Sequence, residues 1–330
     1  MYKHFYVVKA QYLQVVIDTL DDLNAPTDEW LNLVGLNREH ANDLDNLVLE
    51  EPIWKLFAIS AQKLRNNSFG KLVAHKLEST TLIVAEQMPK TLENALAYFL
   101  NIYNEQSNTP SFWLKTDGNF IWLCRKGAPG IEHGKWQVEQ FVLQFLITLL
   151  QYYFGQNWQP KFIKLQLNST EQHLVAEFFQ LATNTQRSTV ELDATYTGIA
   201  IEKSLMLDTL KWPVNYQPSQ SDNVISKKPS QVIMQLLAQS YFGKSVNAQI
   251  IAQHLDINIR QLQRILAKEQ VSLQTLIDDY RKQLAHNLII DTGLSINEIS
   301  AQLDYQDSAN FVRAFKRWFA MTPLQFRKRY

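Results

Sequence analysis

Ile250-Ile251-Ala252-Gln253-His254-Leu255-Asp256-Ile257 and Glu298-Ile299-Ser300-Ala301-Gln302-Leu303-Asp304-Tyr305 lie 48 residues apart and follow one pattern. Ile251 aligns with Ile299, Ala252 with Ser300, Leu255 with Leu303 and Asp256 with Asp304. After one extra residue in the later copy, Leu262-Gln263-Arg264-Ile265-Leu266 stands above Phe311-Val312-Arg313-Ala314-Phe315. Such self-similarity marks a duplicated supersecondary unit. Each copy reads as a short helix, a tight turn and a second helix entered through a cap residue, Asn258 in the first and Ser308 in the second. Those are the parts of a helix-turn-helix.

Helical spacing assigns two faces to each second helix. In the first, Leu262, Ile265, Leu266 and Glu269 share the inward face, while Arg260, Gln261, Gln263, Arg264 and Lys268 point away. In the second, Phe311, Ala314, Phe315 and Trp318 face inward, and Ala309, Asn310, Arg313, Lys316 and Arg317 face out. Neither outward face contains an acid. Arg pairs bidentately with guanine O6 and N7, and Asn or Gln with adenine N6 and N7. A single basic helix face is ordinarily a solvated surface; two at matching wheel positions point to DNA. Between the copies, the sequence predicts one helix from about Ser272 to Asp291, ended near Gly293, with Leu273, Leu276, Ile277, Tyr280, Leu284 and Leu288 as its apolar stripe. A rigid helix of about 30 Å is close to the ~34 Å repeat of successive major-groove faces.

Charge divides the chain at the same place. Residues 227–330 hold 14 Lys and Arg against 8 Asp and Glu, whereas residues 1–226 hold 18 against 24, so a formally neutral 330-residue protein has a basic C-terminal third. That asymmetry fits contact with a polyanion. The length suits two domains, and 46% hydrophobic with 12% aromatic residues excludes intrinsic disorder and fibrous classes. A lone cysteine, Cys124, excludes a disulfide framework and fits a reducing, cytoplasmic setting. The N-terminus shows no signal-peptide pattern, and the most apolar stretch, Phe141 to Phe154, is too short and too interrupted by glutamine to span a bilayer, so no membrane association is expected.

The segment from Trp212 to Pro229, with three prolines and no periodicity, reads as a linker. The expected organisation is therefore 1–211, linker 212–229, and 230–330. Upstream of the linker the first hundred residues read as helices. Asp28 is expected to cap Glu29–Val34, Pro52 to stand early in a helix reaching Leu64, and Thr91 to open Leu92–Tyr103. Phe112–Thr116 and Phe120–Arg125 then read as a hairpin around Asp117-Gly118-Asn119, followed by a helix over Lys135–Phe154 ended by Gly155. Phe162–Leu167, Val190–Asp193 and Gly198–Ile201 read as further strands. The predicted fold class is an α+β N-terminal domain followed by an all-α domain with two helix-turn-helix motifs joined by a linker helix.

Residues 230–330 resemble the DNA-binding domain of the AraC/XylS family of bacterial transcription regulators. The similarity is densest in Ile296-x-x-Ile299-Ser300, in Leu303-Asp304-Tyr305-x-Asp307-Ser308-x-Asn310-Phe311-x-Arg313-Ala314-Phe315-Lys316-Arg317, and in Thr322-Pro323-x-x-x-Phe326-Arg327. Leu262-Gln263-Arg264 and Tyr280-Arg281-x-x-x-Ala285 fit as well. Asp256, Asp304 and Ala320 stand where the family has glycine; if those positions need positive φ, Ala320 costs about 1 kcal/mol. The resemblance implies that Arg260, Gln261, Gln263, Arg264, Asn310, Val312 and Arg313 approach base edges of a double-stranded operator, and that Lys316 and Arg317 hold phosphates. It also implies contact with RNA polymerase, activation more than repression, and a cytoplasmic, nucleoid-bound protein.

The N-terminal region, through Gly35-Leu36 and Thr91-Leu92-x-x-Ala95-Leu96 followed by strands, resembles the arabinose-binding-type effector domain of some AraC-family members. That resemblance implies a small-molecule effector and a homodimer. Trp113, Trp122 and Arg125 are candidate effector-binding residues, although aromatics alternating along strands are more often core. No Gly-rich phosphate loop, nucleophile elbow or metal-spaced histidine pair is present, so no enzyme, cofactor or metal is expected. The alternative left open by the sequence is a helical interaction protein whose basic faces bind protein without reading DNA.

Overall fold

The computed structural model describes residues 6–86, 91–104, 107, 112–180, 188–205, 228–240, 246–255 and 257–329. The chain divides into two compact units, Met1–Ser226 and Lys227–Tyr330. Most of the expected linker, 212–227, lies outside the described residues. Its last residue, Pro229, already opens a helix, a position where the missing N–H is no loss.

The first unit is α+β. Its elements run β1 (Val7–Lys9), α1 (Gln11–Asp22), α2 (Thr27–Leu33), β2 (Leu47–Leu49), α3 (Glu50–Lys63), α4 (Phe69–Glu86), α5 (Leu92–Asn104), β3 (Phe112–Asp117), β4 (Phe120–Arg125), α6 (Lys135–Phe154), β5 (Phe162–Lys164), α7 (Gln172–Gln180), β6 (Thr189–Glu191) and β7 (Thr197–Glu202). Five strands form one sheet in the order β3-β4-β7-β5-β6, with only β5 and β6 parallel. Strand pleating sends Leu114, Ile121, Leu123, Ile163, Ile199 and Ile201 into one large core with the helices. The hairpin closes as predicted. Asp117 pairs with Phe120, so Gly118-Asn119 is a two-residue loop, and Gly118 takes φ +55°.

Three local expectations are corrected. Val7–Lys9 and Leu47–Leu49 form an antiparallel pair instead of helix; three-residue strands show no period to read. Asp28 caps nothing, because α2 starts at Thr27 and the Asp28 carboxylate is held by Arg38 at 2.7 Å. The strand predicted over Phe162–Leu167 ends at Lys164, though the Leu165 amide still bonds Glu191 at 2.9 Å.

Helix α6 is the centre of this unit and is buried along almost its whole length. Two glycines let it be so. Gly134 sits before it at φ +77°, where any Cβ would fall 1.9 Å from the Trp54 carbonyl oxygen. Gly70 of α4 lies against it, where a Cβ would stand 1.9 Å from the Gln137 carbonyl oxygen; its amide donates to Gln137 Oε1 at 2.8 Å. Close helix approach is what a missing side chain permits.

The second unit is helical: α8 (Pro229–Ser240), α9 (Ala248–His254), α10 (Ile259–Ala267), α11 (Leu273–Asp291), α12 (Ile296–Gln302), α13 (Ser308–Phe319) and α14 (Pro323–Arg329). All six predicted stripe residues of α11, Leu273 through Leu288, are buried.

Candidate nucleic-acid interface

The two helix pairs, α9–α10 and α12–α13, are built from the same local devices. Asn247 caps α9 by accepting the amides of Gln249 and Ile250, each at 3.0 Å. Asn258 caps α10: its Oδ1 accepts the Gln261 amide at 2.9 Å, and Gln261 Oε1 accepts the Asn258 amide at 3.1 Å, a reciprocal capping box. Ser295 and Glu298 form the equivalent box on α12. On α13 the cap is Asp307, one residue before the expected Ser308. Its Oδ1 accepts the Asn310 amide at 2.6 Å. A carboxylate at a helix N-terminus also meets the positive end of the dipole.

Both reading helices bury the predicted faces. Leu262 and Leu266 of α10, and Phe311, Ala314 and Phe315 of α13, are buried, with Ile265, Glu269 and Trp318 half-buried. Glu269, expected to pack inward, accepts the Ser230 hydroxyl at 2.6 Å and so ties α8 to the end of α10. The turn of the second pair contains Asp304 at φ +61°, and α13 ends on Ala320 at φ +58°. The φ question raised by the missing glycines is thereby answered for these two positions. Asp256 lies outside the described residues. Beyond Ala320, Arg327 of α14 donates to the carbonyls of Ile289 (3.2 Å) and Leu294 (2.7 Å), satisfying acceptors at and just past the end of α11.

The candidate contact residues fall into different states. Arg260, Gln263, Arg264, Arg313, Lys316 and Arg317 are exposed; Gln261, Asn310 and Val312 are half-buried. The Gln261 carbonyl oxygen is engaged in the cap, leaving its NH2 group outward-capable. Asn310 is held on both sides: its Nδ2 donates to Asp307 Oδ2 at 2.8 Å, and Arg313 Nη2 donates to its Oδ1. This Asp307–Asn310–Arg313 chain of hydrogen bonds holds two of the candidate base-contacting side chains of α13. Arg317 donates to Asp278 of α11 at 2.8 Å. Sequence reasoning overlooked Asp278 and Asp307; the Asp307-x-x-Asn310 spacing was the available signal for the second.

In the first unit the three effector candidates are not brought together. Trp113 and Trp122 occupy the sheet face away from the large core, with Cys124, Ala200, Phe120 and Tyr196. There the Lys164 ammonium lies 5.2 Å from the Trp122 ring centroid. Arg125 is on the opposite face, 8% exposed, donating from Nη1 to Glu139 Oε1 at 3.0 Å. Residues 122 and 125 are three apart on one strand, so pleating separates them. Among the described residues no group of three or more His, Cys, Asp or Glu side chains could hold a metal ion, and no helix is long and apolar enough to cross a membrane.

The segment of the two helix pairs is similar to known proteins. A helix-turn-helix domain family model matches residues 251–329. The HTH-type transcriptional regulator VirS of Mycobacterium tuberculosis is 29% identical over 150 residues, 42% of this chain and 43% of that protein. The ornithine utilization regulator of Pseudomonas aeruginosa is 36% identical over 77 residues, 23% of each. The chain thus spans less than half the length of the curated relatives it matches. The solved structure of the transcriptional regulator CdpR from Pseudomonas aeruginosa aligns over 96% of this chain and 98% of its own, at 14% identity and a TM-score of 0.39. Residues 251–329 of the chain thus match a helix-turn-helix domain.

Proposed function

We propose that the protein is a sequence-specific DNA-binding transcription regulator, a ligand-responsive activator that reads two successive major grooves. The observation that carries this reading is the pair of capped helices, α10 and α13, each exposing Arg and amide side chains and each packed in one unit with the apolar helix α11 between them. Arg260, Gln261, Gln263 and Arg264 meet base edges in one groove, and Asn310, Val312 and Arg313 in the next, with Val312 offering apolar contact to a thymine methyl. Lys316 and Arg317 hold phosphates, which set affinity and salt dependence rather than sequence choice. The N-terminal domain, 1–211, binds a small-molecule effector and forms a homodimer. The effector acts through differential affinity for two arrangements of the chain, changing how the readers meet the operator and RNA polymerase.

Binding to promoter fragments across a salt series tests this. Arg264→Ala and Arg313→Ala should each cost about 1–3 kcal/mol and relax preference within one half-site. Lys316→Ala should weaken all sequences alike and lower the salt slope by about one. Unchanged sequence preference in both arginine variants would overturn base reading and leave a helical interaction protein.

A further inference from the structure

The first unit holds a partly open cavity of about 110 Å³, lined from β1, α1, α3, α4, α5, α6 and the β3–β4 strands. Its walls include the rings of Tyr12, Phe57, Tyr103, Phe112, Phe141 and Phe145. They pack on one another around the space, with Tyr12 edge-on to Phe141 at 6.3 Å and Tyr103 against Phe145 at 5.2 Å. A cavity lined by apolar groups alone stays dry and takes a benzene-sized guest. This one differs in its polar lining of Glu50, Ser107, Arg125 and Lys126. Arg125 lines it, more than nine-tenths buried, and among the described residues its guanidinium has one hydrogen-bond partner, Glu139, reached through Nη1. A guanidinium has five N–H donors, so Arg125 has donors to offer an acceptor in this space.

We propose that this cavity is a small-molecule site for a flat, uncharged guest of about six to nine heavy atoms, whose carbonyl or hydroxyl oxygen accepts from Arg125. The lack of net charge follows from the wall. Glu139, 1% exposed, already balances Arg125 and also accepts the Thr197 hydroxyl at 2.6 Å. Glu50, 6% exposed, lines the same space and accepts the Ser107 hydroxyl at 2.6 Å. Lys126 also lines the space but is exposed, so its ammonium stays in water. An anionic guest meets the Glu50 carboxylate and a cationic one the Arg125 guanidinium, and either sheds its hydration on entry. Burial also raises the phenol pKa of Tyr12 and Tyr103 well above the ordinary value, so both remain hydroxyl donors at neutral pH. The aromatic walls then supply the area and the guanidinium the orientation.

That the guest is the effector rests on the proposed function; occupancy of the cavity does not, and the two are read separately. Calorimetry on the full chain uses benzamide and benzyl alcohol as neutral probes, with benzoate, benzylamine and benzene as controls. The expected result is saturable one-to-one binding of a neutral probe, at least tenfold tighter than either charged analogue. Val142→Phe adds a ring to the cavity wall and should abolish that binding while the chain keeps its cooperative melting. The pair Arg125→Met with Glu139→Gln leaves no buried charge alone and should bind benzene and benzamide alike. No saturable binding, binding that survives Val142→Phe, or preference for a charged analogue would each overturn the proposal. Operator affinity measured with and without the neutral probe then tests the regulatory role: binding without any change there keeps the site and overturns its effector role.

Discussion

At the scale of single residues, the chain departs from ordinary local preferences in a few places, and each departure predicts a measurable effect. Ala320 is held at φ +58° at the end of α13, a conformation that penalises any Cβ. Ala320→Gly should therefore stabilise the second unit by about 0.5–1 kcal/mol, read as a higher denaturant midpoint with unchanged slope. A lower midpoint would mean the Ala320 methyl is worth more than its strain. Cys124 has the opposite character. Burial pushes its thiol up to about 12, so the thiolate is negligible at neutral pH. Folded protein should resist alkylation at pH 7.5 and react only on unfolding; rapid labelling of the native chain would contradict the burial. The Arg125–Glu139 pair is buried on both sides, and Glu139→Ala alone should cost about 3–5 kcal/mol by leaving the arginine without a counter-charge. The question about Asp304 and Ala320 could be posed from the sequence because both occupy glycine positions of a recognisable pattern. The pairing of Arg125 with Glu139 could not be read, because the two are fourteen residues apart on different elements and nothing in local spacing links them.

At the scale of elements, legibility tracks length and period. Helix α6 matches its predicted bounds, Lys135–Phe154, because twenty residues of amphipathic pattern are closed by a glycine. The hairpin of β3 and β4 was fixed by its turn residues. The strands β1 and β2 were not, because three residues carry no alternation, and their pairing across some forty residues is purely tertiary. Capping was legible in kind but slipped by one position on α13, where Asp307 and Ser308 are both good caps and the carboxylate takes the role. Asp307→Ala should cost about 1 kcal/mol of unfolding free energy. It should also weaken operator binding beyond that loss, since Asn310 and Arg313 lose the chain of hydrogen bonds that orients them. Equal operator affinity in this variant would show that the orientation contributes nothing.

At the scale of the whole molecule, a formally neutral chain is divided into an acidic α+β unit and a basic helical one, and the second exposes paired cationic helices. The helix between them, α11, has 19 residues, about 29 Å at 1.5 Å per residue, and is buried along its apolar stripe against its neighbours. In the proposed function such a spacer would hold two readers at a set distance and angle, matching one chain to one face of the duplex. This part was legible because the repeat, the stripe and the charge balance all fall in the same hundred residues and agree. The cavity of the first unit was less so, because its wall joins side chains from β1, α1, α3, α4, α5, α6 and the β3–β4 strands, which only the tertiary fold brings together. The geometry makes a phasing prediction. Operator affinity of the full chain should be measured on the selected site and on the same site with five base pairs inserted between half-sites. The account predicts that the half-turn insertion abolishes tight binding and that a ten-base-pair insertion does not restore it, because the rigid spacer is too short. Undiminished affinity with five added base pairs would contradict two readers fixed by one helix.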